Sequence, residues 1–165
     1  VYHRSTGNSN YLRLNTTAAS ASSSSYWNNT TPTSTHFTIG TNSTINQSGA
    51  SFVAYIFAHD DARFGTNEDE SVISCGTFNA TSGTHVELGW EPQFLLAKNT
   101  TSNDWSIVDT MRGFTADSDN YLLANKAQPE YGYPLYAPTP TGFTVSFTAN
   151  NDAYIYMAIR SPHKP

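Results

Sequence analysis

Two short runs constrain this chain more than anything else in it: Phe52-Val-Ala-Tyr-Ile-Phe-Ala58 and, near the other end, Tyr154-Ile-Tyr-Met-Ala-Ile-Arg160. Each is rich in aromatic and β-branched residues and lacks glycine and proline, and each is too short for a core helix. Buried β-strands fit both better than helices do. Their surroundings point the same way. Of the first fifty residues 27 are Ser, Thr or Asn, and only Arg4 and Arg13 are formally charged. With 38% hydrophobic, 13% aromatic and 13% charged residues, the chain is too apolar for a disordered tail and too poor in helix formers for a bundle. The expected fold is all-β, an antiparallel β-sandwich of the jelly-roll or lectin-like kind.

Strands are expected at Tyr11 to Leu14, at Thr35 to Ile39 with Phe37 and Ile39 on one face, and at Phe52 to Ala58. Ala18 to Ser25 reads as a low-complexity loop, interrupted by Tyr26 and Trp27, which are expected to pack back on the core. The acidic stretch from His59 to Glu70 reads as a connection. Beyond it, strands are expected at Val72 to Phe78 and His85 to Leu88. A hairpin follows from Gln93–Ala97 and Asp104–Val108 about an Asn99 to Asn103 turn. Trp90 and Trp105 are expected in the core, as is Cys75, the single cysteine, which rules out an internal disulfide. The division this gives is a first β unit at 1–62, an acidic linker at 63–71 and a second β unit at 72–165, with the two units free to pack as one domain.

The second unit echoes the first. Asn10-Tyr11-Leu12 returns as Asn120-Tyr121-Leu122, Thr31-Pro32-Thr33 as Thr139-Pro140-Thr141, Phe37-Thr38-Ile39 as Phe143-Thr144-Val145, and the Phe52 run as the Tyr154 run. Four echoes in the same order indicate a duplicated unit. The stretch Gly76 to Trp105 has no counterpart ahead of Val1, so the first copy reads as incomplete. Its missing strands are expected from preceding chain, from another subunit or from a rearranged packing, because unpaired apolar edges invite aggregation. The opening Val1-Tyr2-His3 itself reads as strand, so the chain is expected to be a processed or excised piece of a longer one.

The series VAYIFAHDD, a Cys-Gly strand, LGWEPQFLLAK, DWSIVDTMRG, NYLLAN, TGFTV and YIYMAIRSP resembles a repeated module of bacteriophage tail-fibre and other virion-surface proteins, above all in phages of marine bacteria. The resemblance runs from Val1 to Pro162. It implies a β-rich, non-enzymatic structural or adhesive part of a virion, found beside lectin-like domains and assembling with identical subunits or other virion proteins.

Composition narrows the partners. A net charge of −5 with eight scattered Lys and Arg leaves no footprint for nucleic acid. No run approaches the ~20 apolar residues of a membrane helix, so no membrane insertion is expected. Phosphate-loop, dinucleotide, nucleophile-elbow and zinc-protease motifs are all missing. Glu87 and Glu91 flank a corner, but nothing else marks them as a glycosidase pair. His59-Asp60-Asp61 and Asp117-Ser118-Asp119-Asn120 offer oxygen ligands for Ca²⁺ without the glycine and terminal Glu of an EF-hand loop. Ordinary turn chemistry is the plainer account, and no cofactor is expected. The seven sequons, such as those at Asn15 and Asn79, arise readily in a chain so rich in Asn, Ser and Thr.

The best candidate for recognition is the proline-stiffened loop from Pro129 to Pro140. Its Tyr131, Tyr133 and Tyr136 offer broad amphipathic faces to a host-surface glycan or a protein groove, with the plainer alternative that they cover the end of the sandwich. The function expected is that of a virion tail-fibre or surface-decoration module that assembles and contacts the host. The alternative is a carbohydrate-binding or adhesin domain of a secreted bacterial protein.

Overall fold

Two antiparallel sheets facing one another hold most of the buried apolar side chains in the computed structural model of the chain, which describes residues 1–115, 120–150 and 152–161. A two-residue ribbon, β1 (Asn10–Tyr11) with β2 (Ala21–Ser22), comes first. A one-turn helix, α1 (Ser24–Trp27), follows, its start closed by the Ser23 hydroxyl accepting from the Ser25 N–H. The sandwich strands are β3 (Ile73–Asn79), β4 (His85–Glu87), β5 (Pro92–Asn99), β6 (Trp105–Asp109), β7 (Asn120–Leu123), β8 (Tyr131–Gly132), β9 (Tyr136–Thr139), β10 (Gly142–Val145) and β11 (Ala153–Arg160). The large sheet runs β3-β11-β5-β6-β7-β8 and the small one β4-β10-β9. The sandwich expected from the sequence is the fold.

Strand β11 is the middle of the core because its alternation serves both neighbours. Tyr154 stands opposite Phe78 on β3 and Asn99 on β5, and Tyr156 opposite Gly76 and Ala97. Tyr154, Tyr156 and Ala158 turn toward the small sheet, where the Phe143 ring meets Phe78 at 5.7 Å and Tyr156 at 5.5 Å, both edge-on. Burying side chains of this size contributes roughly 1.5 to 3 kcal/mol each. The opposite pleat of the large sheet is not bare. Leu12 packs there with Trp105, Ile155 and Leu96. The Trp105 indole N–H donates to the Arg13 carbonyl at 2.9 Å, and the Ser20 N–H donates to the Thr100 carbonyl at 2.9 Å. The N-terminal segment thus lies across the outer face of the sheet as a cover.

The first unit departs from the sequence reading. Of the strand expected at Tyr11 to Leu14 only Tyr11 falls in a strand, β1, the polar tract contributes β2 and α1, and Thr35 to Ile39 forms no strand. Tyr26 is buried, stacked on Tyr11. Phe52 to Ala58, expected as a buried strand, is instead extended over the surface, with Val53 82%, Tyr55 84% and Ile56 72% exposed. The physical reason is the lack of a ladder. No hydrogen bond ties residues 52–58 to any described residue, and contact resumes at His59, whose Nδ1 accepts from the Cys75 N–H at 3.1 Å, and at Asp60, whose N–H donates to the Ile73 carbonyl at 2.9 Å. Apart from Leu12 and Tyr26, the buried apolar residues all come from 75–158, while most of the exposed large ones precede residue 65.

Candidate functional site

The far edge of the large sheet carries the candidate surface with the most chemistry. β7 pairs with β8 so that Tyr121 faces Tyr131 directly, and their rings stack at 5.3 Å with planes 20° apart. Tyr133, two residues on, is 54% exposed. The Tyr131 hydroxyl donates to Gln128 Oε1. Behind the rings, Asp104 accepts from Asn125 Nδ2 and from Lys126 Nζ, each at 2.7 Å. Burial pushes the Asp104 carboxyl up, but these two donors outweigh it and hold it below its usual range. Burial likewise raises the Tyr121 phenol, with Tyr131 adding to the effect. The result is a tyrosine platform bordered by a fixed ion pair. Such a surface can stack on a sugar ring or a flat peptide group, and it holds no nucleophile paired to a base.

Tyr136 does not belong to it. The loop from Pro129 to Pro140 is split between the two sheets: Tyr131–Gly132 joins the large one, and Tyr136–Thr139 joins the small one through pairing of Tyr136 with Val145. That pairing carries the Tyr136 ring into the core, where it is 1% exposed and edge-on to Phe78, Phe143 and Phe147. Its hydroxyl lies 3.3 Å from Ser106 Oγ. Tyr136 is a core residue because a strand with its apolar face inward has no other place for it. Tyr121, which the sequence reading passed over, takes its place on the platform. The signal for it was the short strand Asn120–Leu123 just ahead of the proline-rich stretch.

The remaining candidates resolve into local chemistry. Glu87 accepts from the Thr141 hydroxyl at 3.0 Å, from the Gly89 N–H at 3.0 Å and from His85 Nε2 at 3.2 Å. These contacts, the Thr141 hydroxyl first, hold its carboxyl below the usual range. Its oxygens clip the β4 corner to the turn before β10, while Glu91 is exposed. His59 Nε2 lies 3.1 Å from Asp60 while its Nδ1 accepts from the Cys75 N–H, and Asp61 pairs with Arg63 at 2.9 Å, so these side chains are engaged locally. Asp117, Ser118 and Asp119 lie outside the described residues, and among the described ones no three metal-ligating groups converge. Cys75 is buried, and burial pushes its thiol up to about 11, which suits a packing residue. No helix among the described residues is long and apolar enough to cross a membrane.

A second surface is the run Phe52 to Ala58 itself, an apolar extended segment with its backbone groups unpaired. Compared with known proteins, the chain matches over residues 1–162 the model of a family described as Domain of unknown function (DUF7483). None of the curated proteins and none of the solved structures matches it.

Proposed function

This chain belongs to the DUF7483 family, and we propose that it is a non-enzymatic structural module of a bacteriophage virion, in a tail fibre or in the surface decoration, that works by assembling with further protein. The observation that carries the reading is the exposed strand-like run Phe52 to Ala58. A long, flat, apolar segment with open backbone groups is an aggregation hazard in a free protein. Its retention makes sense where assembly covers it. Placement in a virion is supported by the resemblance of the motif series from VAYIFAHDD to YIYMAIRSP to tail-fibre modules.

An antibody raised against the Tyr131 to Tyr133 hairpin tests the placement on purified phage particles by electron microscopy. Regular labelling of the tail or the particle surface is the expected result. Particles free of label, with the protein left in the soluble fraction, would remove the reading.

The Tyr121, Tyr131 and Tyr133 platform favours a second role, attachment to a host-surface glycan. On a glycan array, this reading expects a signal that Tyr133→Ala abolishes without changing the melting temperature. A signal indifferent to that substitution takes the hairpin out of consideration.

A further inference from the structure

We infer that Phe52 to Ala58 is the central strand of a second β-sandwich, and that its flanking strands come from a polypeptide of the β3-to-β6 type carried by another module of this family. The inference deepens the structural-module reading, on which it rests, by naming the partner.

The register comes from the chain itself. The Phe52 run repeats the Tyr154 run, with Phe52 in the place of Tyr154 and Val53 in the place of Ile155. In β11 those residues lie between β3 and β5, hydrogen-bonded on both sides, and Tyr154 is 6% exposed. Phe52 and Val53, at the corresponding places, are 53% and 82% exposed. The facing sheet shows the same contrast. Phe143 on β10 is fully buried, whereas Phe37, which the repeated Phe-Thr pair aligns with it, is 43% exposed.

The missing partner is more than one strand at one edge. Side chains on both alternating faces of the run are apolar: Phe52, Ala54, Ile56 and Ala58 on one, Val53, Tyr55 and Phe57 on the other. That pattern belongs to a strand covered on both faces, such as β11, and not to an edge strand with a wet side. Both of its ladders are open as well. A partner that supplied only one strand would leave the other edge and one apolar face in water.

Counting identifies the partner. Residues 1–165 contain two runs of the β11 kind, but the strands able to flank one of them occur once, as β3 and β5, and β11 occupies both. A copy that lent its flanks to a neighbour's Phe52 run would strip its own β11. Copies of residues 1–165 therefore cannot satisfy all their central strands among themselves, and an additional set of flanks is required. Its chemistry is that of β3, Ile-Ser-Cys-Gly-Thr-Phe-Asn, and of β5, Pro-Gln-Phe-Leu-Leu-Ala-Lys-Asn: largely apolar strands with small residues, like Gly76 and Ala97 here, opposite the aromatic rings. This is strand complementation in the sense of a donated sheet.

Amide hydrogen exchange on residues 1–165 tests this, with a synthetic peptide of the Val72 to Asp109 sequence, which carries both flanks, as the probe. The expected result is that amides 52–58 exchange fast in the free chain and turn slow when peptide is added. Amides 153–160 should stay slow throughout, and Tyr55→Asp should abolish the peptide effect. Three results would each overturn the inference: slow exchange at 52–58 in the dilute free chain, slowing that follows chain concentration without peptide, or no slowing at any peptide excess. The second would make another copy the occupant. Labelled particles combined with any of these three would leave the virion reading standing and remove only the partner.

Discussion

Tyr156 lies over Gly76, and a Cβ built at Gly76 would sit 2.6 Å from the Tyr156 hydroxyl oxygen. The glycine is there because the ring of the opposite strand occupies the side-chain position, a role the sequence hides until the cross-strand partner is known. Gly76→Val is expected to displace the ring and cost about 1 to 3 kcal/mol, seen as a lowered melting temperature; an unchanged one would contradict the packing described. His3 offers a pH test. Its Nε2–H donates to the Tyr156 carbonyl at 3.0 Å, and its Nδ1 accepts from the Ser5 N–H at 3.2 Å, so the neutral ring satisfies both partners. Burial holds the His3 pKa below its ordinary value, although the bond to Tyr156 opposes this, and His59 is lowered by burial as well. The unfolded chain then binds more protons than the folded one as pH falls below the ordinary histidine value, about 6.5. Stability present above that pH should be lost as pH falls toward the folded-state value. The melting temperature is expected to drop between neutral and mildly acid pH, and to drop less in His3→Gln; identical slopes would remove His3 from the account.

At the scale of elements, β3, β4, β5, β6 and β11 were legible because each is a short run of alternating or continuous apolar residues between turn signals. The Trp90 and Trp105 burials followed from the same pattern. Two things were not legible. Tyr136 looked like Tyr131 and Tyr133 because all three sit among prolines, and only the pairing of β9 with β10 separates them. Phe52 to Ala58 reads as a buried strand, yet it is bare, because a sequence pattern records what a segment is suited to pair with and not whether the partner lies in the same chain. A paired comparison tests that distinction. Tyr154→Asp places a charge in the core and is expected to cost about 3 kcal/mol or more, or to prevent folding. Tyr55→Asp, in the middle of the exposed run, should leave the melting temperature of the isolated chain unchanged. Equal losses in the two variants would mean that Phe52 to Ala58 is part of the chain's own core.

Across the whole molecule, the completed sandwich of residues 72–161 carries the first unit as a cover over one sheet face and as an apolar strand extended into solvent. The fold class and most strand positions of the second unit were open to sequence reasoning, since the information lies in local alternation. The layout of the first was not, since it depends on strands that residues 1–165 do not have to spare. The platform of Tyr121, Tyr131 and Tyr133 and the bare Phe52 run lie on different parts of this framework, the first at the β8 edge and the second ahead of β3, so contact with a ligand and assembly are separable by mutation. The central claim is that Phe52 to Ala58 is a strand completed only by assembly. A cryo-electron microscopy map of the assembled particle tests it most directly. The account predicts residues 52–58 hydrogen-bonded on both sides to strands of another module; the same residues facing solvent in the assembled particle would contradict it.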